Sequence, residues 1–311
     1  MTLPPAGFAF PSPRPHFLDF GFSNPLEEFN MLPALLAAVL SIMIYLITTL
    51  SRRGPSFVPE DIPDLSDKTI LITGGNSGIG YQTAKELLLK GATVYLSARG
   101  VMEPPDHMLT AQNIDLQFGT NVVGHFFLTE LLIPALFSSA KTRGLPARII
   151  NVSSSGHRNA PLGPGIDFAS LSGGHQRDEL IATWGTKAPT YLYGQSKLGN
   201  ILISNHFAAK SDDTQIISTA LHPGGIRTEL RRYGGGIMHT IKNKLLYPPS
   251  MGTLTQLWAA TVAPAAAING QYLVPWAQIA PGDGADLDQR AANLALRDEL
   301  ITWLEERIEG F

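Results

Sequence analysis

Two side chains in the second half of the sequence could together move a proton. Tyr193 and Lys197 are four residues apart, so on a helix both lie on the same face. A free tyrosine, with a pKa of about 10, exchanges protons poorly at neutral pH. A neighbouring ammonium stabilises the phenolate and lowers that pKa, which brings Tyr193 towards the range of a general acid or base. Because this spacing is common by chance and most often belongs to plain helix surface, the pair gains meaning only from its context.

A glycine-rich stretch could bind phosphate. Residues 73–80 lie between a short apolar run at residues 69–72 and a segment with leucines at helical spacing. Glycines allow a sharp turn and a close approach of ligand, and the first turn of the following helix presents free N–H groups. Between a strand and a helix, the stretch favours a dinucleotide site over an ordinary loop. The residues that would form it are Gly74, Asn76, Ser77, Gly78, Ile79 and Gly80.

One residue after the second predicted strand bears on the choice of dinucleotide. Arg99 follows Gly80 by about 20 residues, where an acidic side chain would bind the ribose 2′-hydroxyl of NAD. An arginine instead suits the 2′-phosphate of NADP. The alternative is a solvated surface arginine.

These motifs resemble the short-chain dehydrogenase/reductase family, and in particular its retinol-dehydrogenase-like branch. The resemblance covers residues 68–311 and is carried by residues 73–80, Arg99, Asn121, Ser154, Tyr193 and Lys197. It implies one α/β domain of the Rossmann type, a parallel sheet flanked by helices. Members bind NAD or NADP and interconvert alcohols with ketones or aldehydes.

The resemblance also assigns catalytic roles. Tyr193 would transfer the proton, Lys197 would tune it and hold the nicotinamide ribose, and Asn121 would hold a water in the proton relay. Ser154 would orient the substrate oxygen, although the serines on either side of it keep that choice open. Ile226 and Thr228 would approach the nicotinamide carboxamide. The predicted cofactor site therefore comprises Gly74, Asn76, Ser77, Gly78, Ile79, Gly80, Arg99, Asn121, Tyr193, Lys197, Ile226 and Thr228, and no metal site is predicted.

Strands and helices must hold these residues in place. The sequence predicts strands at residues 69–72, 93–97, 148–152, 216–221 and 271–274, and helices over residues 111–136 and 298–308. The stretch between Ser154 and Tyr193 is rich in glycine and proline and predicts a surface excursion.

The sequence departs from the family in one respect. Family members continue after the second strand through a helix, a strand and a second helix to a fourth strand, which ends in Asn-Asn-Ala-Gly. Here Arg99 is followed directly by Gly100, which matches the last glycine of that turn. Two helix–strand units, roughly 60 residues, are therefore expected to be missing, and with them the central strand. A skipped exon or a faulty gene sequence is the preferred interpretation, and a compact natural variant is the alternative.

The N-terminal part of the sequence predicts a membrane anchor. Residues 1–30 are expected to form a disordered tail, and residues 31–50 carry no charge. As a helix the uncharged run spans roughly 30 Å, the thickness of a bilayer core. A buried core helix and a signal peptide are the alternatives. Arg52 and Arg53 place the following linker, residues 51–67, on the cytosolic side, so we expect an endoplasmic reticulum membrane protein whose catalytic domain faces the cytosol.

Composition narrows the function classes. The 311 residues carry a net charge of −3, so there is no basic excess for nucleic acid. Cysteine is absent, which excludes a disulfide framework, a thiolate nucleophile and a zinc–cysteine site. Residues 229–250 mix basic and apolar groups where family members carry a substrate lid. The expected partners are the membrane and a small lipophilic substrate, and a homodimer stays open.

Two functions of different classes follow. The first is an NADP-dependent oxidoreductase acting on a small lipophilic alcohol or carbonyl compound, for which a retinoid, a steroid, a lipid aldehyde and a secondary metabolite all fit. The second is a non-catalytic relative tethered to the membrane, because catalysis depends on a placement of groups that an intact sheet provides.

Overall fold

The computed structural model describes residues 55–97, 104–210, 215–227, 246–281 and 286–311. The chain divides at Gly54, and every described residue belongs to the unit Gly54–Phe311. The predicted tail and transmembrane helix, Arg99, Thr228 and most of the predicted lid lie outside the described residues.

Two parallel strands form the N-terminal sheet. β1 (Thr69–Thr73) and β2 (Thr93–Ser97) pair in register, with Ile70 opposite Val94. Both are short runs with β-branched residues, and the sequence predicted both. Leu96 of β2 is nevertheless 53% exposed, where a parallel strand covered on both faces would bury such a side chain.

The second sheet holds the catalytic half of the sequence. β3 (Ala147–Val152) pairs in parallel with β4 (Ile216–Leu221), and β4 pairs in parallel with β5 (Tyr272–Val274). A two-residue strand, β6 (Gln278–Ile279), adds to β5 in the antiparallel direction. Every residue of β4 is buried, which fits its central position.

The two sheets are separate in the described part of the chain. Their strand orders are β1-β2 and β3-β4-β5-β6, so no described strand pairs with the second edge of β1 or of β3. The predicted Rossmann-type sheet is thus divided, and the division falls where the missing central strand was expected to lie. Parallel strands flanked by helices are present, but the strands of the described residues do not form one continuous sheet.

Helices pack against both sheets. They are α1 (Gly78–Leu89), α2 (Leu116–Arg143, with a π-helical turn at Gly119–Val123), α3 (His175–Trp184), α4 (Ala188–Ala209), α5 (Pro249–Ala260), α6 (Ala265–Ile268) and α7 (Leu294–Ile308). The sequence predicted α2 over residues 111–136. The helix begins later because the side chain of Asp115 caps it by accepting a hydrogen bond from the N–H of Phe118, and it ends at Gly144, where φ is +62°.

α5 contacts both sheets. Leu254 and Leu257 belong to a buried apolar cluster that also packs against Ile70 of β1. Ala259 belongs to a second cluster, which includes Ile217 of β4. One helix therefore packs against the two otherwise separate sheets.

The described part of the predicted linker is packed against the domain. Phe57, Ile62 and Leu65 are at most 4% exposed. They lie in the same apolar cluster as Leu254 and Leu257 of α5. Residues 55–67 therefore contribute to the N-terminal core.

α2 is unusually exposed for a helix of its hydropathy. Among the described residues it is the one helix long and apolar enough to cross a membrane, by length and composition alone. Phe118, Val122 and Phe126 near its start are fully buried, whereas Leu131 further along is 61% exposed. The predicted anchor, residues 31–50, is a different segment.

Candidate active site

α4 brings the predicted acid–base pair to the end of β3. Tyr193 and Lys197 lie one turn apart, and the Nζ of Lys197 is 5.9 Å from the centre of the Tyr193 ring. That Nζ also donates a hydrogen bond of 3.1 Å to the carbonyl oxygen of Val152, the last residue of β3. Lys197 is therefore held between the tyrosine and the carboxyl end of a parallel strand, where open α/β sheets place ligands.

Two glycines allow α4 to approach the turn that follows β3. A Cβ on Gly194 would lie 2.4 Å from the backbone nitrogen of Ala160, so only glycine fits there. A Cβ on Gly156 would lie 2.8 Å from Cε1 of Tyr193 and 3.3 Å from Oγ of Ser154. The tyrosine ring and the Ser154 hydroxyl thus lie against the same glycine.

The geometry separates the three candidate serines. Ser153 is buried, and its Oγ donates to the carbonyl oxygen of Lys197 over 2.8 Å. Ser155 is exposed. Ser154 is half-buried, its Oγ accepts a hydrogen bond of 3.0 Å from the N–H of Gly156, and it lies beside the tyrosine ring. This arrangement favours Ser154 as the substrate-facing serine.

Asn121 lies in the π-helical turn of α2 and is linked to the lysine through α4. Its Nδ2 donates to Oγ of Ser196 over 3.4 Å. Its carbonyl oxygen accepts from Nδ2 of Asn200 over 2.6 Å, and Oδ1 of Asn200 accepts from Nζ of Lys197 over 3.5 Å. π-helical turns inside α-helices are frequent at functional sites.

Burial sets the protonation of the two basic groups in this region. It lowers the pKa of Lys197 to about 8. Burial, together with the charge of Lys197, lowers the pKa of His125 to about 4, so this histidine is neutral at pH 7. His125 is one turn along α2 from Asn121.

The glycine-rich turn has the shape that a phosphate requires. Gly74 has a φ of +70° and Gly78 a φ of +55°, which glycine adopts without strain. A Cβ on Gly80 would lie 2.3 Å from the carbonyl oxygen of Gly74. The Ser77 side chain does not cap α1, and the first helical hydrogen bond runs from the Tyr81 N–H to the Ser77 carbonyl. The N–H groups of the first turn are therefore placed to bind a phosphate, which fits a dinucleotide.

A cavity of about 680 Å³ lies between the ends of β1 and β2 and the helix α2. Thr73 and Ser97, at the ends of β1 and β2, line it on one side. Thr120 and His125 of α2 line it on the other. Its volume is typical of a small-molecule site.

The other predicted cofactor residues divide into two groups. Ile226 is buried and shares an apolar cluster with Ile79 of the glycine-rich turn, so the structure brings these two together. Arg99 and Thr228 lie outside the described residues.

Sequence reasoning missed Asn200 and His157. Asn200 lies three residues after Lys197, and a helical projection could have placed both on one face. His157 lies three residues after Ser154, and its Nδ1 is 2.6 Å from the Ser154 carbonyl oxygen. Nothing in the sequence indicates which backbone groups these side chains meet.

This chain is similar in sequence and in fold to known proteins. A family model described as short chain dehydrogenase matches residues 68–108. A short-chain dehydrogenase/reductase of Armillaria gallica is 34% identical over 320 residues, covering 86% of this chain and 98% of the relative. Human retinol dehydrogenase 13 is 28% identical and covers 76% of this chain and 85% of the relative. The crystal structure of an uncharacterized protein from Mycobacterium paratuberculosis is 22% identical and covers 81% of this chain and 97% of its own, with a TM-score of 0.56.

The match to the Armillaria relative also gives the total number of its positions that this chain lacks. The alignment is 320 positions long, whereas 86% of 311 residues is about 267. The relative therefore carries about 320 − 267 = 53 positions without a counterpart here. This is close to the two helix–strand units, roughly 60 residues, that the sequence predicted to be absent.

An α/β fold with a tyrosine–lysine pair beside a serine at a strand end defines an oxidoreductase of the Rossmann type. The chain belongs to the short-chain dehydrogenase/reductase family. The predicted family resemblance is therefore confirmed.

Proposed function

We propose that this protein is an NADP-dependent oxidoreductase that interconverts a hydroxyl and a carbonyl group on a small lipophilic substrate. One observation carries the proposal. Tyr193, Lys197 and Ser154 converge at the carboxyl end of β3, and Asn121 is joined to Lys197 through Asn200. The names of the relatives support an oxidoreductase.

In this function the side chains orient the substrate and move one proton. The hydroxyl of Ser154 donates to the substrate oxygen. Tyr193 protonates that oxygen during reduction and removes the alcohol proton during oxidation. The ammonium of Lys197 stabilises the phenolate, so Tyr193 exchanges its proton nearer to neutral pH. The nicotinamide group supplies or accepts the hydride.

The cofactor assignment rests on the glycine-rich turn and on Arg99. The first turn of α1 would hold the pyrophosphate, with Gly74, Gly78 and Gly80 allowing its close approach. Arg99 favours NADP over NAD because a guanidinium pairs with the 2′-phosphate.

The proposed substrate is lipophilic and is reached from a membrane. Support comes from the uncharged run at residues 31–50, from the mixed basic and apolar segment 229–250 and from a relative named retinol dehydrogenase. The proposed anchor lies in the endoplasmic reticulum membrane. Its catalytic domain would face the cytosol because two arginines follow the run. A homodimer is compatible with this arrangement.

A second candidate function is favoured by the divided sheet. Without a strand between β1 and β3 in the described residues, the cofactor half and the catalytic half share no backbone ladder. Catalysis requires accurate placement of reacting groups. The chain would then act as a membrane-tethered binding protein without turnover.

Replacement of Tyr193 by phenylalanine tests the first function. With detergent-solubilised protein, NADPH and a panel of lipophilic ketones, we expect Tyr193→Phe to abolish turnover while NADPH binding is unchanged, because only the transferable proton is lost. Absorbance of the reduced nicotinamide measures turnover, and calorimetric titration measures binding.

Tyr191→Phe is the matched control, because Tyr191 lies on the same helix and packs edge-on against Trp184. Its turnover should match that of the wild type. Undiminished turnover in Tyr193→Phe would contradict the proton-transfer role. A wild-type chain that neither turns over nor melts at a higher temperature with NADPH would support the non-catalytic function.

A further inference from the structure

His157 is a buried histidine that lies directly behind the proposed substrate-facing serine. It belongs to the turn after β3, and none of its surface is exposed. Its ring packs edge-on against Tyr272 of β5, with ring centres 5.2 Å apart. Because buried polar groups are costly without hydrogen bonds, the partners of its two ring nitrogens decide what it does.

These partners select one tautomer. The backbone N–H of Asp288 lies 3.1 Å from Nε2, and because an N–H can only donate, Nε2 must carry the lone pair. In the neutral ring the proton is then on Nδ1, which donates to the Ser154 carbonyl oxygen over 2.6 Å. The Tyr272 hydroxyl, 3.3 Å from Nδ1, can share that proton only as a second acceptor.

The surroundings of His157 keep the ring neutral. Burial lowers its pKa, and the positive charges of Arg158 and Arg290 act in the same direction. The hydrogen bond to Ser154 and the carboxylate of Asp288 oppose this shift, but the pKa remains below its ordinary value. At neutral pH the ring therefore keeps the acceptor that the Asp288 N–H needs.

Ser154 is consequently held at three points. Its carbonyl oxygen accepts from the His157 ring and, over 3.0 Å, from the backbone N–H of His157. Its Oγ accepts from the N–H of Gly156 over 3.0 Å. With one acceptor position of the hydroxyl filled, its proton is left to donate to a substrate oxygen.

The same histidine ties this turn to the C-terminal segment. Besides the Asp288 contact to His157, Arg290 pairs with the carboxylate of Asp288 at 2.6 Å and donates to the carbonyl oxygen of Pro161. The segment around Asp288 is thus hydrogen-bonded to the turn after β3 at two places, His157 and Pro161.

We propose that His157, neutral and protonated on Nδ1, is a positioning residue that fixes the Ser154 peptide and joins it to the C-terminal segment at Asp288. The inference rests on the proposed function, in which Ser154 orients the substrate oxygen.

Two substitutions separate the two ring contacts. His157→Asn keeps a donor at the place of Nδ1 and loses the acceptor for Asp288, whereas His157→Gln keeps an acceptor at the place of Nε2 and loses the donor to Ser154. We expect kcat of His157→Asn to stay within a few-fold of wild type and kcat of His157→Gln to fall at least tenfold, with an unchanged KM for NADPH. The reverse order, or an equal loss in both, would overturn the positioning role.

A spectroscopic readout tests the tautomer without turnover. The sample is the full chain in detergent, labelled with ¹⁵N-histidine, and the measurement is its ¹⁵N NMR spectrum. We expect the signals of one ring with a protonated Nδ1 and an unprotonated Nε2. These signals should be absent from the spectrum of His157→Asn. A protonated Nε2 would overturn the inference even in an active enzyme. If the wild-type protein gives this spectrum but shows no turnover, the proposed function is contradicted and the role of His157 is not. Should a variant melt before the assay temperature, the wild-type spectrum alone decides.

Discussion

Lys197 lies between Tyr193 and the end of β3, and burial lowers its pKa from 10.5 to about 8. Below pH 8 the ammonium of Lys197 is charged in both the folded and the unfolded chain. The cost of burying this charge then lowers the free energy of unfolding in full. Between the two pKa values the unfolded chain binds more protons than the folded one, so the free energy of unfolding rises with pH. The charge that activates Tyr193 therefore destabilises the fold at neutral pH.

Replacement of Lys197 by methionine should remove this pH dependence. Relative to Lys197→Met, the wild-type free energy of unfolding should rise by about 1 kcal/mol per pH unit between roughly pH 8 and pH 10. Urea denaturation at several pH values measures the difference. At pH 7 the variant should be the more stable and should lack turnover. Equal slopes in both proteins would mean that Lys197 keeps its ordinary pKa.

Gly194 offers a test of how closely α4 must approach the turn after β3. A Cβ there would meet backbone atoms of Asn159 and Ala160, which cannot move aside. Gly194→Ala should therefore cost about 1–3 kcal/mol of stability and displace Tyr193, so turnover should fall as well. Melting temperature and kcat are the measurements.

The control for this substitution lies on the same helix. A Cβ on Gly199 would lie 3.0 Å from a methyl group of Val122, a looser contact with a side chain instead of with the backbone. Gly199→Ala should therefore be milder than Gly194→Ala. An equal effect of both would argue against a tight contact at the turn.

Tyr193 and Lys197 were predicted as a pair from local spacing, and the family resemblance gave Ser154 its role. Tyr193 and Lys197 are one helical turn apart, and Ser154 follows a strand. The roles of His157 and Asn200 depend on which carbonyl oxygen or N–H group the fold places opposite them. That information is tertiary, so local spacing could not supply it.

Among the elements, α3 is fixed to the start of α2 by a buried ion pair. Arg177 of α3 and Asp115, the N-cap of α2, are each 2% exposed, with Nη2 and Oδ2 3.0 Å apart. The Nε of Arg177 also donates to the carbonyl oxygen of Ser170. Burial raises the pKa of Asp115, while its bonds to Phe118 and Arg177 favour the charged form. This pair anchors the helix that carries Asn121.

Removing one partner of this pair should be severe. Arg177→Met leaves the Asp115 carboxylate buried and unpaired, so we expect a loss of about 3–5 kcal/mol in the free energy of unfolding. The double variant Asp115→Asn/Arg177→Met should recover part of this loss. Urea denaturation of the three proteins provides the comparison.

An exposed ion pair serves as the control for Arg177. Arg297 lies 2.7 Å from Asp298, whose side chain is 65% exposed. Arg297→Met should change stability by less than about 1 kcal/mol. If Arg177→Met were equally mild, the Asp115 carboxylate would have to be neutral in the folded chain.

The strands could be predicted because short apolar runs with β-branched residues are typical of strands. The start of α2 was missed because the Asp115 cap, and not the apolar pattern, decides it. The stretch predicted as a surface excursion contains α3 and a buried arginine. A single buried charge paired across the chain leaves no periodic pattern in the sequence.

For the molecule as a whole, the two separate sheets of the described residues are what the predicted loss of a segment at Arg99–Gly100 would produce. Arg99 runs directly into Gly100, and the Armillaria relative carries about 50 positions in total that have no counterpart in this chain. Leu71 and Leu96, on the two strands of the N-terminal sheet, are 42% and 53% exposed. Apolar surface of this kind is what the missing units would be expected to cover.

Supplying the missing segment should restore one sheet. A chain with the corresponding residues of the Armillaria relative inserted between Arg99 and Gly100 should melt at a higher temperature, with a larger urea m-value, because more surface becomes buried. It should also bind NADPH more tightly. Sequencing of full-length cDNA across these codons shows whether such a transcript exists. If every transcript joins the two codons directly and the shorter chain binds NADPH as tightly as the longer one, the divided sheet is a working form.

α5 is a packing link between the two sheets. Leu254 and Leu257 pack on the N-terminal sheet and Ala259 packs on the other, so side-chain packing joins the two sheets where the described strands form no shared backbone ladder. We expect hydrogen exchange to show the two halves opening separately, each with its own free energy. A dinucleotide that touched the glycine-rich turn at one end and Lys197 at the other would act as a crosslink between them. Cooperativity of unfolding would then be a property of the complex, set by the concentration of its cofactor.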